Sequence, residues 1–216
     1  MTMTAAELLM FRSYVDASTN YLEFGSGEST VYAAGTAGII SIDSVESSAE
    51  FINDYLETRP EIQKARTAGR LKFHMVDIGP TVKWGYPKDD TKKHLWPNYC
   101  SKVFSRKSSH DLVFVDGRFR IACTLNSILH TPDNCTIMIH DFWNRPEYHG
   151  VLKFLNVKDR TDTLGVFTKK KPVNPAKLKP LIQEYQYLPG DQTFLYRLEK
   201  RLKSLVMGDR DLIQSH

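Results

Sequence analysis

The sequence predicts an α/β fold: a doubly wound, mostly parallel sheet with helices on both faces. Three observations carry that reading. Five short apolar runs alternate with helix-period segments, the pattern of strands joined by helical crossovers. Those runs are continuous rather than alternating, as in strands buried on both faces. Finally, each run ends in or beside an acid, and open parallel sheets bind ligands at the carboxyl ends of their strands.

In order, Ala5–Ala17 carries Leu8, Leu9, Met10, Phe11 and Val15 at helical spacing, and is a leading helix within residues 1–18. The first strand is Tyr21–Phe24, followed by a glycine-rich turn and a helix over Ser29–Gly35. Ile39–Asp43 is the second strand, and Ala49–Thr58 a helix that Arg59-Pro60 stops. A short polar helix spans Glu61–Ala68, and Leu71–Val76 is the third strand. Thr81–Pro97 is rich in Pro, Gly, Trp and charge without a period, a long loop suited to a lid. Tyr99–Arg106 is helical, Asp111–Asp116 is the fourth strand and Arg118–Leu129 a helix. The fifth strand is Thr136–His140, and Pro146 opens a helix that carries Tyr148–Leu155. Strands at Leu164–Thr168 and Phe194–Arg197, with helices at Pro175–Tyr187 and Leu198–Val206, close the chain. With no repeat or linker, residues 1–216 read as one domain.

Composition narrows the function. The chain is 41% hydrophobic and 25% charged, ordinary for a globular protein, and no apolar run is long enough for a bilayer span. The N-terminus lacks a basic start, so a secretory signal is not expected. Cys100, Cys123 and Cys135 show no metal or redox spacing and are odd in number, which predicts free thiols and a cytoplasmic setting. A net charge of +4 and a pI near 8.8 permit an anionic substrate without demanding nucleic acid.

The glycine-rich stretch Asn20–Thr30, NYLEFGSGEST, is the strongest motif. Gly25 and Gly27 allow a tight turn and a close approach of backbone to ligand. Ser29 and Thr30 open a helix, and Glu23 adds a carboxylate. A dinucleotide fingerprint G-x-G-x-x-G would need a third glycine where Thr30 stands, and an acid there repels phosphate. Glu23-x-Gly25-x-Gly27 instead resembles the E/D-x-G-x-G turn of class I S-adenosylmethionine (SAM) methyltransferases, whose cofactor carries a sulfonium and an amino-acid end. Two further strings add to the resemblance: VDIGP…WGYP (Val76–Pro80, Trp84–Pro87) and FVDGRFR…HDFWNRPEY (Phe114–Arg120, His140–Tyr148). They resemble small SAM-methyltransferase-like proteins and the cation-dependent O-methyltransferases. The likeness runs over roughly Tyr21–Leu155.

The resemblance implies a Rossmann-like methyltransferase fold and SAM as cofactor. Cofactor contacts are then expected from Glu23, Gly25, Ser26, Gly27, Ser29 and Thr30; from Asp43 and Ser44, with Asp43 accepting the ribose hydroxyls; from Asp77 and Ile78 at the adenine; and from Asp116 and Gly117. Asp141, His140 and Asp116 are the expected catalytic groups. In the cation-dependent enzymes a strand-four Asp and a strand-five Asp-Asn pair hold a metal. Asp116 and Asp141 match, so Mg²⁺ or Mn²⁺ is implied there, although Phe142 stands where the second ligand belongs. Arg118 and Arg120, placed against a helix dipole, are expected to pair with the rim acids or to bind an anionic acceptor. Trp143, Tyr148 and Trp84 complete the expected acceptor pocket. The expected activity is O-methylation of a sugar, glycan or other small hydroxyl acceptor. An RNA methyltransferase, a nicotinamide oxidoreductase and a non-catalytic SAM-fold binding protein stay open as alternatives, and no separate RNA-binding module is visible.

Overall fold

The computed structural model describes residues 3–190 of the chain. Five apolar runs pair as parallel strands: β1 (Asn20–Phe24), β2 (Ser41–Glu46), β3 (Leu71–Met75), β4 (Leu112–Val115) and β5 (Thr136–Ile139). Two more, β6 (Leu155–Thr161) and β7 (Leu164–Lys169), form a hairpin whose β7 runs antiparallel to β5. The order across the sheet is β3-β2-β1-β4-β5-β7-β6.

Side chains on a strand alternate between faces, so each strand feeds two cores. Leu22, Phe24, Val113, Val115 and Ile137 face one core. It is covered by α5 (Pro97–Ser101), α6 (Arg120–His130) and α7 (Pro175–Tyr185). Tyr21, Ile42, Leu112, Phe114 and Met138 face the other. That side is covered by α1 (Ala5–Asp16), α2 (Glu28–Gly35) and α4 (Pro60–Thr67). Phe24 and Phe114 have no exposed surface. Burying a side chain of that size contributes about 1.5–3 kcal/mol.

Several boundaries differ from the sequence reading. β2 starts at Ser41 and runs to Glu46, three residues past Asp43. Ile40, read as strand, is 63% exposed and lies before the ladder. Register explains the shift: β3 pairs with β2 from Ile42↔Leu71 to Glu46↔Met75. The helix over 49–58 is a short α3 (Ala49–Phe51) running into a π-helical turn, Ile52–Leu56. Pro146–Lys153 is 3₁₀ rather than α. β6 is absent from the sequence reading because residues 156–160 are exposed and three of them, Lys158, Asp159 and Arg160, are charged, as suits an edge strand. The expected strand at 194–197 and helix at 198–206 lie outside the described residues. Among the described residues no helix is long and apolar enough to cross a membrane.

Candidate active site

The chain turns sharply where β1 ends. Gly25 has φ +92°, and a Cβ on it would lie 2.6 Å from Gly117 Cα. A Cβ on Gly117 would meet the Tyr99 hydroxyl and the Gly25 amide. Two glycines therefore bring the β1 turn against the end of β4, a contact no other residue pair permits. Ser26 and Gly27 lead from the turn into α2, and Gly27 N–H donates to Thr30 Oγ1 at 2.8 Å.

A cavity of about 1260 Å³ opens over this junction. Of the residues named for cofactor contact, Gly25, Ser26, Gly27, Ser29, Asp116 and Gly117 line it. Trp84 and Arg118 also line it. The other expected residues do not, and each has a visible reason.

Glu23 is fully buried beneath the turn. It accepts hydrogen bonds from Tyr21 Oη (3.0 Å), Ser29 Oγ (2.8 Å) and Ser44 Oγ (2.7 Å), and from the Thr30 hydroxyl. Burial outweighs these bonds and pushes its pKa up to about 7. Glu23, Thr30 and Ser44 thus brace the turn from below. Asp43 sits within β2, not at its end. It is clamped between His74 Nε2 (2.5 Å) and His110 Nε2 (2.8 Å). Burial opposes its ionisation, but the bonds from His110 and His74 prevail and hold its pKa below the usual carboxylate range. Asp77 is exposed, accepts from Gly79 N–H at 2.9 Å and pairs with Lys92 at 3.3 Å. Ile78 is buried in the core.

The acid that does end β2 is Glu46, which the sequence reading passed over. One oxygen accepts from Ser47 N–H (2.6 Å) and Ser48 N–H (3.0 Å), the other from Ser26 N–H (3.1 Å). Glu46 lines the cavity and ties the ends of β1 and β2 together. Its signal was Val45, a β-branched residue that carries the strand composition past Asp43 to Glu46.

At the ends of β4 and β5 the expected catalytic groups form a hydrogen-bonded network that leaves Asp141 Oδ1 buried without a partner. Asp116 Oδ1 accepts from His140 Nδ1 and Arg120 Nη2, each at 3.0 Å. Arg120 also donates to the His140 carbonyl (2.6 Å), Asp141 Oδ2 (3.2 Å) and the Gly117 carbonyl (3.1 Å). His140 Nε2 faces Glu7 of α1 at 3.5 Å. Glu7 in turn accepts from Thr163 N–H (2.9 Å) and Leu164 N–H (3.1 Å). Burial lowers the His140 pKa, yet the Asp116 bond and charge outweigh it and raise it overall. For Asp116, burial is likewise overcome by Arg120 and His140, and its pKa falls. Only Asp116 of the three opens to the cavity. His140 and Asp141 are 2% and 3% exposed and do not line it.

Arg120 is 6% exposed and is committed to this network rather than to an acceptor. Trp143 carries the Arg160 guanidinium 4.3 Å over its ring, and Tyr148 is buried; neither lines the cavity. Asp116, His140 and Asp141 do bring ligand atoms within 4.8 Å of one another. The Arg120 guanidinium, however, bridges both carboxylates and supplies the positive charge a cation would bring. The donor set as arranged does not fit Mg²⁺ or Mn²⁺.

The strand order, with β7 antiparallel between β5 and β6, and the glycine turn at the end of β1 define a Rossmann-like methyltransferase fold. No family model matches the sequence, and no curated protein matches it. Among solved structures, a methyltransferase-like protein from Silicibacter pomeroyi DSS-3 is 31% identical, with a TM-score of 0.73 over 88% of this chain and 97% of that one. A Staphylococcus aureus protein assigned as a caffeoyl-CoA O-methyltransferase shares the fold at 10% identity and a TM-score of 0.56, over 79% of this chain and 86% of that one. The chain belongs to the family of the Silicibacter methyltransferase-like protein.

Proposed function

We propose that the protein is a SAM-dependent methyltransferase acting on a hydroxyl oxygen of a small acceptor, a sugar or glycan among the candidates. The observation that carries this is Glu46 beside the Gly25–Gly27 turn on the cavity wall. A carboxylate there accepts both ribose hydroxyls. It also disfavours a pyrophosphate at the same turn. The cavity, at about 1260 Å³, is large enough for a nucleoside and an acceptor together.

Methyl transfer is an in-line displacement. The acceptor oxygen forms a bond to the methyl carbon as the carbon–sulfur bond breaks, and the electron pair returns to sulfur to give S-adenosylhomocysteine (SAH). The alkylated oxygen becomes strongly acidic, so its proton passes to a weak base. Asp116 is the carboxylate in place: one oxygen is fixed by Arg120 and His140, and the side chain is 29% exposed. The chain's own contribution is alignment, by a rigid glycine junction, and proton acceptance.

Calorimetric titration with SAM tests the reading. The wild type should bind, and Glu46→Ala should lose about tenfold or more in affinity, the worth of hydrogen bonds to a charged group. A folded wild type that takes up no SAM removes the proposal. SAH release with a panel of hydroxyl acceptors then tests the transfer to oxygen.

A further inference from the structure

Resting on that reading, we propose that the acceptor carries an oxyanion, a carboxylate or a phosphate, which Arg118 selects while Trp84 stacks on the acceptor ring. Both residues line the cavity together with Asp116 and Gly117. Arg118 follows Asp116 by two positions but makes no ion pair among the described residues, whereas Arg120 spends its donors on Asp116 and Asp141. Arg118 is held instead by stacking: its guanidinium carbon lies 4.1 Å from the centroid of the Tyr86 ring. A guanidinium packed flat on an aromatic ring keeps its N–H edge free for a planar anion, and bidentate geometry favours carboxylate or phosphate over a neutral group.

Tyr86 and Trp84 belong to one small hairpin. Thr81 and Pro87 are bridged, Val82 N–H donates to the Tyr86 carbonyl at 2.8 Å, and Lys88 N–H to the Pro80 carbonyl at 2.7 Å. Trp84 sits at the tip with φ +67° and is 62% exposed. A bulky residue in the left-handed region and in water is costly twice, which marks a side chain held out for a ligand. Lys83 Nζ lies 5.2 Å from the Trp84 ring centroid and adds positive charge beside that ring. Asp116, the carboxylate two positions before Arg118, does not repel the anion unopposed, because Arg120 and His140 balance it. Glu46 at the β2 end and Arg118 at the β4 end thus give the nucleoside hydroxyls and the anionic acceptor separate partners, in a cavity that Arg12, Asp16, Glu28 and Glu61 also line.

The test uses the full chain, with and without SAH, and follows tryptophan fluorescence and heat. Matched pairs exchange a carboxylate for its neutral amide: glucuronate against glucuronamide, and 3-hydroxybenzoate against 3-hydroxybenzamide. Glucose 6-phosphate separates phosphate from carboxylate. The charged member of at least one pair should bind about tenfold or more tightly than its neutral partner. Arg118→Ala should erase that ratio, Arg118→Lys should keep part of it, and Arg66→Ala, which removes an exposed α4 arginine outside the cavity lining, should leave it unchanged. Trp84→Phe should remove most of the fluorescence response while the heat remains. Equal binding within both pairs, or an unchanged ratio in folded Arg118→Ala, overturns the proposal. SAM titration of the same variants is read separately: lost SAM binding counts against the methyltransferase reading, lost charge selectivity against this one.

Discussion

A single buried guanidinium sets the character of the site. Arg120 touches Asp116, Asp141 and three backbone carbonyls. Removing one partner of a buried charge network leaves the others unpaired and costs about 3–5 kcal/mol. Arg120→Met should therefore lower stability by that order, read as the urea midpoint at constant slope. A loss under about 1 kcal/mol would mean that water already solvates the two carboxylates. Because Arg120 does the work of a cation, EDTA should leave turnover unchanged; loss of turnover restored by Mg²⁺ would show that the arginine yields to a metal. The sequence marked both arginines as unfavourable against a helix dipole, and for Arg120 the pairing with rim acids is realised. It could not say which arginine turns inward. Nor could it find Glu7, whose contacts at Thr163 and Leu164 lie more than 150 positions away.

At the scale of elements, the glycine junction and the length of β2 decide the site. The turn was legible because tight backbone approach restricts residue type, and Gly25 and Gly117 are both in strings read as functional. The end of β2 was not. Ile39-Ile40 resembles a strand start, but pairing with β1 and β3 fixes the ladder, and pairing is not local information. The acid at the end of β2 is in consequence Glu46, and the ribose contact proposed above rests on it rather than on Asp43. Two substitutions separate these roles. Gly25→Ala must place a Cβ within 2.6 Å of Gly117 backbone at φ +92°. It should destabilise the fold by about 1–3 kcal/mol for strain alone and abolish SAM binding. Asp43→Ala should lower stability by freeing His74 and His110, yet leave SAM affinity within about twofold, since each 1.4 kcal/mol is a factor of ten and no cavity contact is lost. A large loss of SAM affinity in Asp43→Ala would return Asp43 to the cofactor site.

Across the whole molecule, two buried ionisable groups, Glu23 and His140, and the half-buried Asp43 give stability a direction with pH. Glu23 is raised from 4.5 to about 7. Its folded form holds a proton that the unfolded chain releases, so its contribution is full below about pH 4.5 and fades as pH rises through about 7. At 1.36 kcal/mol per unit, that is of the order of 3 kcal/mol. His140, raised above 6.5, works in the same direction: its contribution is present below 6.5 and lost as pH rises through the folded value. Asp43 is lowered from 3.8, so its contribution is present above 3.8 and lost only as pH falls through the folded value. The three together predict a urea midpoint that is highest near pH 5 and declines toward pH 8. Glu23→Gln, which keeps the side-chain shape and cannot ionise, should flatten much of that decline while His140 retains the rest. A wild-type midpoint that is level between pH 5 and 8, or an equal slope in Glu23→Gln, would mean that the four hydroxyl donors around Glu23 hold it ionised. In that case the turn would rest on a buried charge that stays in place across the whole range.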